Sequence, residues 1–293
     1  MDSPTLPNSP ASGAPPARDG TRGALVGVGV GPGDPEHLTL KALSELRAAD
    51  AVFAPTLDAA EEGRAEAIVR RAAPEVAVER LVFAVSAGRG AQSAAHAGAA
   101  AIVVDRLDAG GRVAFVTLGD PNIYSTFHHL AAAVVACRPG TEVRTVPGIM
   151  AFQDLAARSG TVVVDGNERL HLVSAVDGAD VVDRALDDPG AAIVVYKGGR
   201  HLPEIADRLA DAGRLDAAVW GELLGLPGER VGALAERRSE PAAYLACIVV
   251  PPERQGDPGG CRGEPPEKRT QSTEGRAGPP DRPADPPTWR TAP

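Results

Sequence analysis

Two apolar runs in this chain end in the same three residues, and that pairing restricts the folds open to it more than any other feature. Ala24–Val30, A-L-V-G-V-G-V, breaks into Gly31-Pro32-Gly33-Asp34-Pro35, and Arg112–Leu118 breaks into Gly119-Asp120-Pro121. A short, continuously apolar run fits a strand covered on both faces, as in a parallel sheet. A glycine after it lets the backbone turn sharply or approach a ligand. An Asp then suits a helix N-cap and a Pro its first helical position. Asp34-Pro35-Glu36 reads as one such start and Asp120-Pro121 as another. The exposed polar set Asp120, Asn122, Tyr124, Ser125 and Thr126 is then expected at the carboxyl end of a buried strand, where open α/β sheets bind ligands. Two such turns on neighbouring strand ends would face one crevice.

The same rhythm continues. Strands are expected at 24–30, 51–55, 80–85, 112–118 and 142–146. Helices are expected after Pro35 with Leu40, Leu43 and Leu46 as the apolar face, then over 60–72, 92–109, from Pro121 to Cys137, and over 150–158. Beyond that, strands at 170–175, 191–196, 217–223, 230–234 and 244–250 have fewer helices between them, and short late connections point to antiparallel pairing. The expectation is an α/β chain in two parts: a parallel-sheet domain over 23–154 and a mixed α+β domain over 155–250. Residues 1–22 and 251–293 are rich in Pro and small or polar residues and lack periodicity, so both are expected to be disordered.

Composition narrows the function. A net charge of −9 argues against a general nucleic-acid binder. Three widely spaced cysteines, Cys137, Cys247 and Cys261, suggest neither a zinc site nor a disulfide framework, and no metal is expected. No apolar run approaches the ~20 residues that cross a bilayer, and the amino terminus lacks a secretory pattern. A soluble, cytoplasmic protein is expected.

The motifs do not point to a nucleotide. G-V-G-V-G-P-G-D fails the G-x-G-x-x-G spacing, since Pro32 and Asp34 stand where a third glycine belongs, and no Walker lysine pattern occurs. Ser125 lacks a G-x-S-x-G elbow. His128 and His129 are adjacent and point to different sides of a helix, and the other histidines are scattered. This pattern suits chemistry carried by a bound cofactor and oriented by the protein.

Four islands carry a resemblance to a known family: V-G-V-G-P-G-D-P-E-H-L-T-L-K-A at 28–42, L-G-D-P-N-I-Y-S-T-F at 118–127, V-P-G-I at 146–149 and V-V-Y-K-G-G-R at 194–200. In order and spacing they resemble the tetrapyrrole methylases, over about residues 24–250. The resemblance implies two α/β domains of the class III methyltransferase fold, with S-adenosyl-L-methionine as methyl donor in the cleft between them. Y-S-T-F after the G-D-P turn, D-G-N-E-R-L at 165–170 and Y-K-G-G-R-H-L at 196–202 resemble the branch of the family that methylates precorrin-2 at carbon 20 in cobalamin synthesis. A cobalt-containing substrate, another tetrapyrrole position and a non-catalytic cofactor-binding homologue stay open as alternatives. A homodimer is implied too.

Carried over by position, the resemblance assigns Pro32, Gly119, Asp120, Pro121, Tyr124, Ser125, Thr126, Met150, Ala151, Tyr196, Lys197 and Ala246 to the cofactor. Tyr124 is also assigned as the catalytic, substrate-side polar group. Arg89, Lys197 and Arg200 are candidates for the carboxylates of a tetrapyrrole, which guanidinium forks match. The chain departs from the family at Met150, where a Ser or Thr is usual, at His37, where an apolar residue is usual, and at Trp220-Gly221-Glu222, which lacks the arginine often found after that strand.

Overall fold

The computed structural model describes residues 23–83 and 89–254; for residues 89–94 the backbone alone is described. The expectations for residues 1–22 and for residues 255–293 of the tail lie outside the described residues. Residues 251–254, where the tail was expected to begin, are tied down: Glu253 N–H donates to Pro189 O at 3.0 Å, and Arg254 pairs with Glu168.

The first half of the chain is β1 (Ala24–Gly29), α1 (Leu40–Ala48), β2 (Ala51–Thr56), α2 (Arg64–Ala72), β3 (Val78–Val82), α3 (Arg89–Asp108), β4 (Val113–Thr117), α4 (Phe127–Cys137) and β5 (Glu142–Val146). The strands form one sheet in the order β3-β2-β4-β1-β5, every pair parallel. Alternate residues feed opposite layers, as the pleat requires. Leu25, Phe53 and Phe115 pack with α3 and α4, while Val26, Val28, Val52 and Val116 pack with α1 and α2. Both faces are covered, which is why the runs are apolar throughout. Gly27 is part of that packing: a Cβ there would lie 2.5 Å from the Phe127 ring.

Local expectations were modified in two places. Asp34 does cap, accepting from Glu36 N–H at 2.9 Å, but the turn it starts is a single 3-10 turn, Pro35–His37. The helix restarts at Thr39, whose Oγ1 accepts from Ala42 N–H, and Leu40 is left 86% exposed. The helix after Asp120-Pro121 begins only at Phe127. Residues 119–126 are therefore a loop, long enough to fill the end of the sheet.

The second half is α5 (Ala151–Ser159), β6 (Arg169–Ser174), α6 (Asp183–Leu186), β7 (Ala191–Tyr196), α7 (Leu202–Asp211), β8 (Val219–Glu222), β9 (Arg230–Ala233) and β10 (Ala246–Val250). Sheet order is β6-β7-β10-β8-β9, with β6 and β7 parallel and the other pairs antiparallel. The late hairpin β8–β9 is antiparallel as expected, but β10 inserts between β7 and β8. One face packs on α6 and α7 through Ile193, Val195, Leu202, Ile205, Leu209 and Ile248. The other face receives α5, whose Leu155 is buried with Val194, Leu224, Cys247 and Val249. The expected domain boundary at 154/155 thus falls inside a helix that packs on the second sheet.

Candidate active site

The site forms where three strand ends of the first sheet meet. β1 and β4 are neighbours, yet β1 leads on to β2 beyond β4, and β4 leads on to β5 beyond β1. That is a topological switch point, the position at which open α/β sheets hold ligands. The two Gly-Asp-Pro turns are directly joined there. Gly119 N–H donates to Gly31 O at 2.9 Å, and Val30 N–H to Thr117 O at 3.0 Å. The turn after β5 closes in as well. A Cβ on Gly148 would sit 2.1 Å from Gly119 O, and one on Gly29 would sit 2.4 Å from the same atom. Gly119 has a left-handed backbone, φ 63°, so three backbones converge at a distance only glycine permits.

Asp120 ties this junction together. Its Oδ1 accepts from Asn122 N–H at 2.8 Å and its Oδ2 from Gly148 N–H at 3.1 Å. It thus organises a turn and a neighbouring loop instead of capping α4. Ser125 turns inward: its Oγ donates to Thr117 Oγ1 and accepts from Phe127 N–H. The first residues of α4 are served by that contact, with Thr126 as N-cap lacking a side-chain bond of its own.

Opposite this junction stand the carboxyl end of β7, the turn after β8 and the start of β10. The cleft between encloses about 770 Å³ of empty space, its open mouth included. It brings together Pro32, Gly119, Asp120, Tyr124, Met150, Ala151, Tyr196, Lys197 and Ala246 of the residues singled out in the sequence. Pro121, Ser125 and Thr126 support the loop without lining it. Arg200 is exposed in the turn after β7, close enough to act electrostatically on the Tyr244 hydroxyl of the cleft rim. Arg89 begins α3, and its side chain lies outside the described residues.

The apolar part of the lining was not legible in the sequence. Leu118, Ile123, Leu223, Leu224, Leu226 and Leu245 belong to it, with Tyr244 and Cys247. One backbone signal marks the place. Among the described residues the non-glycine positions with positive φ are Tyr124 (50°), Lys197 (57°) and Leu223 (53°), and all three line the cleft. Such conformations cost about 1–2 kcal/mol for an L residue and concentrate at functional sites.

The polar groups of the cleft differ in character. Tyr124 is 46% exposed; its hydroxyl donates to Leu172 O at 3.1 Å, and partial burial pushes its pKa up. Tyr196 lies deeper, its hydroxyl accepting from Phe152 N–H at 3.0 Å, and burial beside the Cys247 thiol pushes it well up. The two tyrosine rings are 6.2 Å apart. Lys197 Nζ lies 3.4 Å from Tyr124 O and 5.7 Å above the Tyr124 ring, and burial pushes its ammonium down.

The departures from the family pattern each sit in a defined local setting. Met150 offers no hydroxyl at the start of α5; its backbone N–H donates to Gln153 Oε1 at 2.8 Å. Around Trp220-Gly221-Glu222, where that arginine is absent, Arg237 and Arg230 lie 4.5 and 5.8 Å from the Trp220 ring, and both pair with buried Glu222. His37 Nδ1 faces Asp154 Oδ2 at 3.9 Å, linking the turn after β1 to α5.

Residues 24–236 match the family described as Tetrapyrrole (Corrin/Porphyrin) Methylases. The chain is 33% identical over 238 residues to a precorrin-2 C(20)-methyltransferase of Sinorhizobium sp, covering 78% of this chain and 95% of that relative. It is 29% identical over 231 residues to the cobalt-precorrin-2 C(20)-methyltransferase of Salmonella typhimurium, covering 78% and 96%. Among solved structures, the cobalt precorrin-4 methyltransferase CbiF superposes with a TM-score of 0.59 at 20% identity, over 78% of this chain and 94% of that one. At that identity the superposition speaks to the fold alone.

Proposed function

Because the chain belongs to the tetrapyrrole methylase family, we propose that it transfers a methyl group from S-adenosyl-L-methionine to carbon 20 of precorrin-2, giving precorrin-3A in cobalamin synthesis. The observation that carries this reading is the similarity to the Sinorhizobium enzyme, which extends over nearly all of that relative and spans both walls of the cleft. The residues present fit the donor. The glycine junction presents close backbone, the leucines supply an apolar slot, and the faces of Tyr124 and Tyr196 suit a sulfonium cation.

When bound, S-adenosylmethionine supplies an electrophilic methyl group, so the protein's tasks are alignment and exclusion of water. Pro32, Gly119, Asp120, Met150, Ala151, Tyr196 and Ala246 hold the donor. Pro121, Ser125 and Thr126 keep the loop that carries Tyr124 in place, and Tyr124 is the polar group on the substrate side. Arg200 at the rim, with Arg89, binds acidic side chains of the macrocycle. Lys197 and Arg200 stand at one strand end, and neither has an ion pair among the described residues, whereas most of the described arginines do. A cytoplasmic homodimer completes the reading. In support, no helix among the described residues is long and apolar enough to cross a membrane, and Val162, Val164 and Leu170 are exposed around the edge strand β6.

The test is incubation with methyl-labelled donor and precorrin-2, with the label located by NMR. Label at carbon 20 is expected. Label at another ring position, or donor binding without transfer, would overturn the reading.

A further inference from the structure

A meso carbon that gains a methyl group must lose the hydrogen it already carries. The titratable groups facing the cleft are Asp120, Tyr124, Tyr196, Lys197, Tyr244 and Cys247, with Arg200 at the rim. Most are poorly placed to receive that proton. Asp120 commits both oxygens to backbone N–H groups. Tyr124 and Tyr196 have hydroxyls engaged with Leu172 O and Phe152 N–H. Burial raises the pKa of all three tyrosines and of Cys247, so each holds its own proton more firmly. Arg200 is a guanidinium, permanently charged and without an acceptor.

Lys197 is different in both position and environment. It follows β7 with a left-handed backbone, φ 57°, which sends its side chain across the cleft to within 3.4 Å of Tyr124 O on the opposite wall. Its contact there is a carbonyl and the face of a ring, and no carboxylate of the described residues pairs with it. Apolar neighbours Ile123, Leu223 and Leu245 line the same cleft. Burial disfavours the ammonium and favours the free amine.

We propose that Lys197, through its Nζ, is the catalytic residue that accepts the proton released by carbon 20; this rests on the reading of the chain as a carbon-20 methylase. The methyl–sulfur bond breaks with its electron pair left on sulfur, and the methyl carbon bonds to carbon 20 with a pair drawn from the macrocycle. The proton of carbon 20 then passes to Nζ, and its C–H electron pair returns to the conjugated ring. The resulting ammonium releases the proton to water at the open mouth of the cleft. Arg200 keeps the task of holding carboxylates, so anchoring and proton removal fall to separate side chains on one strand end.

Lys197→Arg separates these roles, because it puts a permanent cation at the same place and removes the base. Single-turnover methyl transfer is expected to fall by about 100-fold, while the Kd values for S-adenosylmethionine and precorrin-2 change by less than about threefold. Retained donor binding reports that the variant is folded. In Lys197→Ala, small primary amines are expected to restore transfer in proportion to their basicity. Without donor or substrate, Lys197 of the wild type is expected to undergo reductive methylation at a lower pH than Lys41, followed by mass spectrometry. An arginine variant within about threefold of wild type, or Lys197 labelling only at the pH of Lys41, would overturn the assignment while leaving the carbon-20 reading intact. A wild-type protein that transfers no methyl to carbon 20 overturns that reading, and this assignment with it.

Discussion

On one wall of the cleft, Gly29, Gly119 and Gly148 bring three backbones together, and Asp120 fastens two of the loops through N–H bonds. On the other wall the lining contains no glycine: Tyr196, Lys197, Leu223, Leu224, Tyr244, Leu245, Ala246 and Cys247 meet the space with side chains. There Lys197 and Leu223 hold left-handed conformations that glycine would adopt more readily. The first wall is shaped by what its residues lack and the second by what its residues carry. A wall of close backbones recognises a ligand's shape and tolerates no added atom. A wall of side chains tolerates substitution and is where chemistry and selectivity can vary.

That contrast fails if the first wall accepts a methyl group. Gly148→Ala puts a Cβ 2.1 Å from Gly119 O, a backbone atom that cannot swing aside. The expected loss is about 3 kcal/mol, seen as a fall of roughly 6–12 °C in thermal midpoint, with donor binding lost in calorimetry. A variant as stable as wild type would show the junction to be looser than its geometry.

Next in size is an acid-dependent effect beneath the first wall, where Glu66 anchors α2 to β3. Burial alone would raise the pKa of the Glu66 carboxyl, but hydrogen bonds from Arg80, Arg70 and Gly63 N–H outweigh it and hold it low. A carboxyl lowered by folding stabilises the protein above its unfolded pKa of about 4.3, and that contribution fades as pH falls through the folded value. Urea denaturation from pH 7 to pH 3 is therefore expected to show wild-type stability falling below about pH 4. Glu66→Gln should start lower, by roughly 2 kcal/mol, and fall less steeply. Parallel pH curves for the two proteins would remove Glu66 from the account.

Asp120→Asn probes the same wall more gently, since an amide oxygen still accepts one bond while its NH₂ faces the other N–H donor. Donor affinity is expected to drop about tenfold, equivalent to roughly 1.4 kcal/mol, by isothermal titration. An unchanged Kd would mean that Asp120 organises the loop without consequence for the site. The smallest effect is expected on the second wall. Leu223→Asn trades a strained leucine for a residue that tolerates the left-handed region. Stability should stay within about 1 kcal/mol of wild type, while donor affinity falls only a few-fold as one apolar contact is lost. A large destabilisation would make the second wall as intolerant as the first.

The difference between the walls also accounts for what could be read in advance. Glycines, prolines and the acid between them are local devices, so Gly31-Pro32-Gly33-Asp34-Pro35 and Gly119-Asp120-Pro121 were legible as strand-end turns, and the apolar runs as covered parallel strands. Leu223, Leu224 and Leu245 look like any other core leucines until β10 is placed between β7 and β8. Nothing in a Lys or a Leu announces a positive φ, because the conformation is imposed by the packing around it. Local rules overreached at α4, where Asp120-Pro121 looked like a helix start. Asp120 is drawn instead to Gly148 N–H, on a turn distant in sequence, and the helix waits until Phe127.

By itself the sequence determined the alternation of strands and helices, the two glycine turns and membership of the methylase family, because hydrophobic period, capping chemistry and motif spacing are properties of contiguous residues. Tertiary structure alone decided that the two turns are hydrogen-bonded to each other, that α5 packs on the second sheet, that Arg230 and Arg237 cover Trp220, and that Lys197 reaches Tyr124 across the cleft. Each of these joins segments far apart in the chain. Their partners are chosen by strand order and by the competition among buried polar groups for hydrogen bonds, neither of which any local stretch encodes.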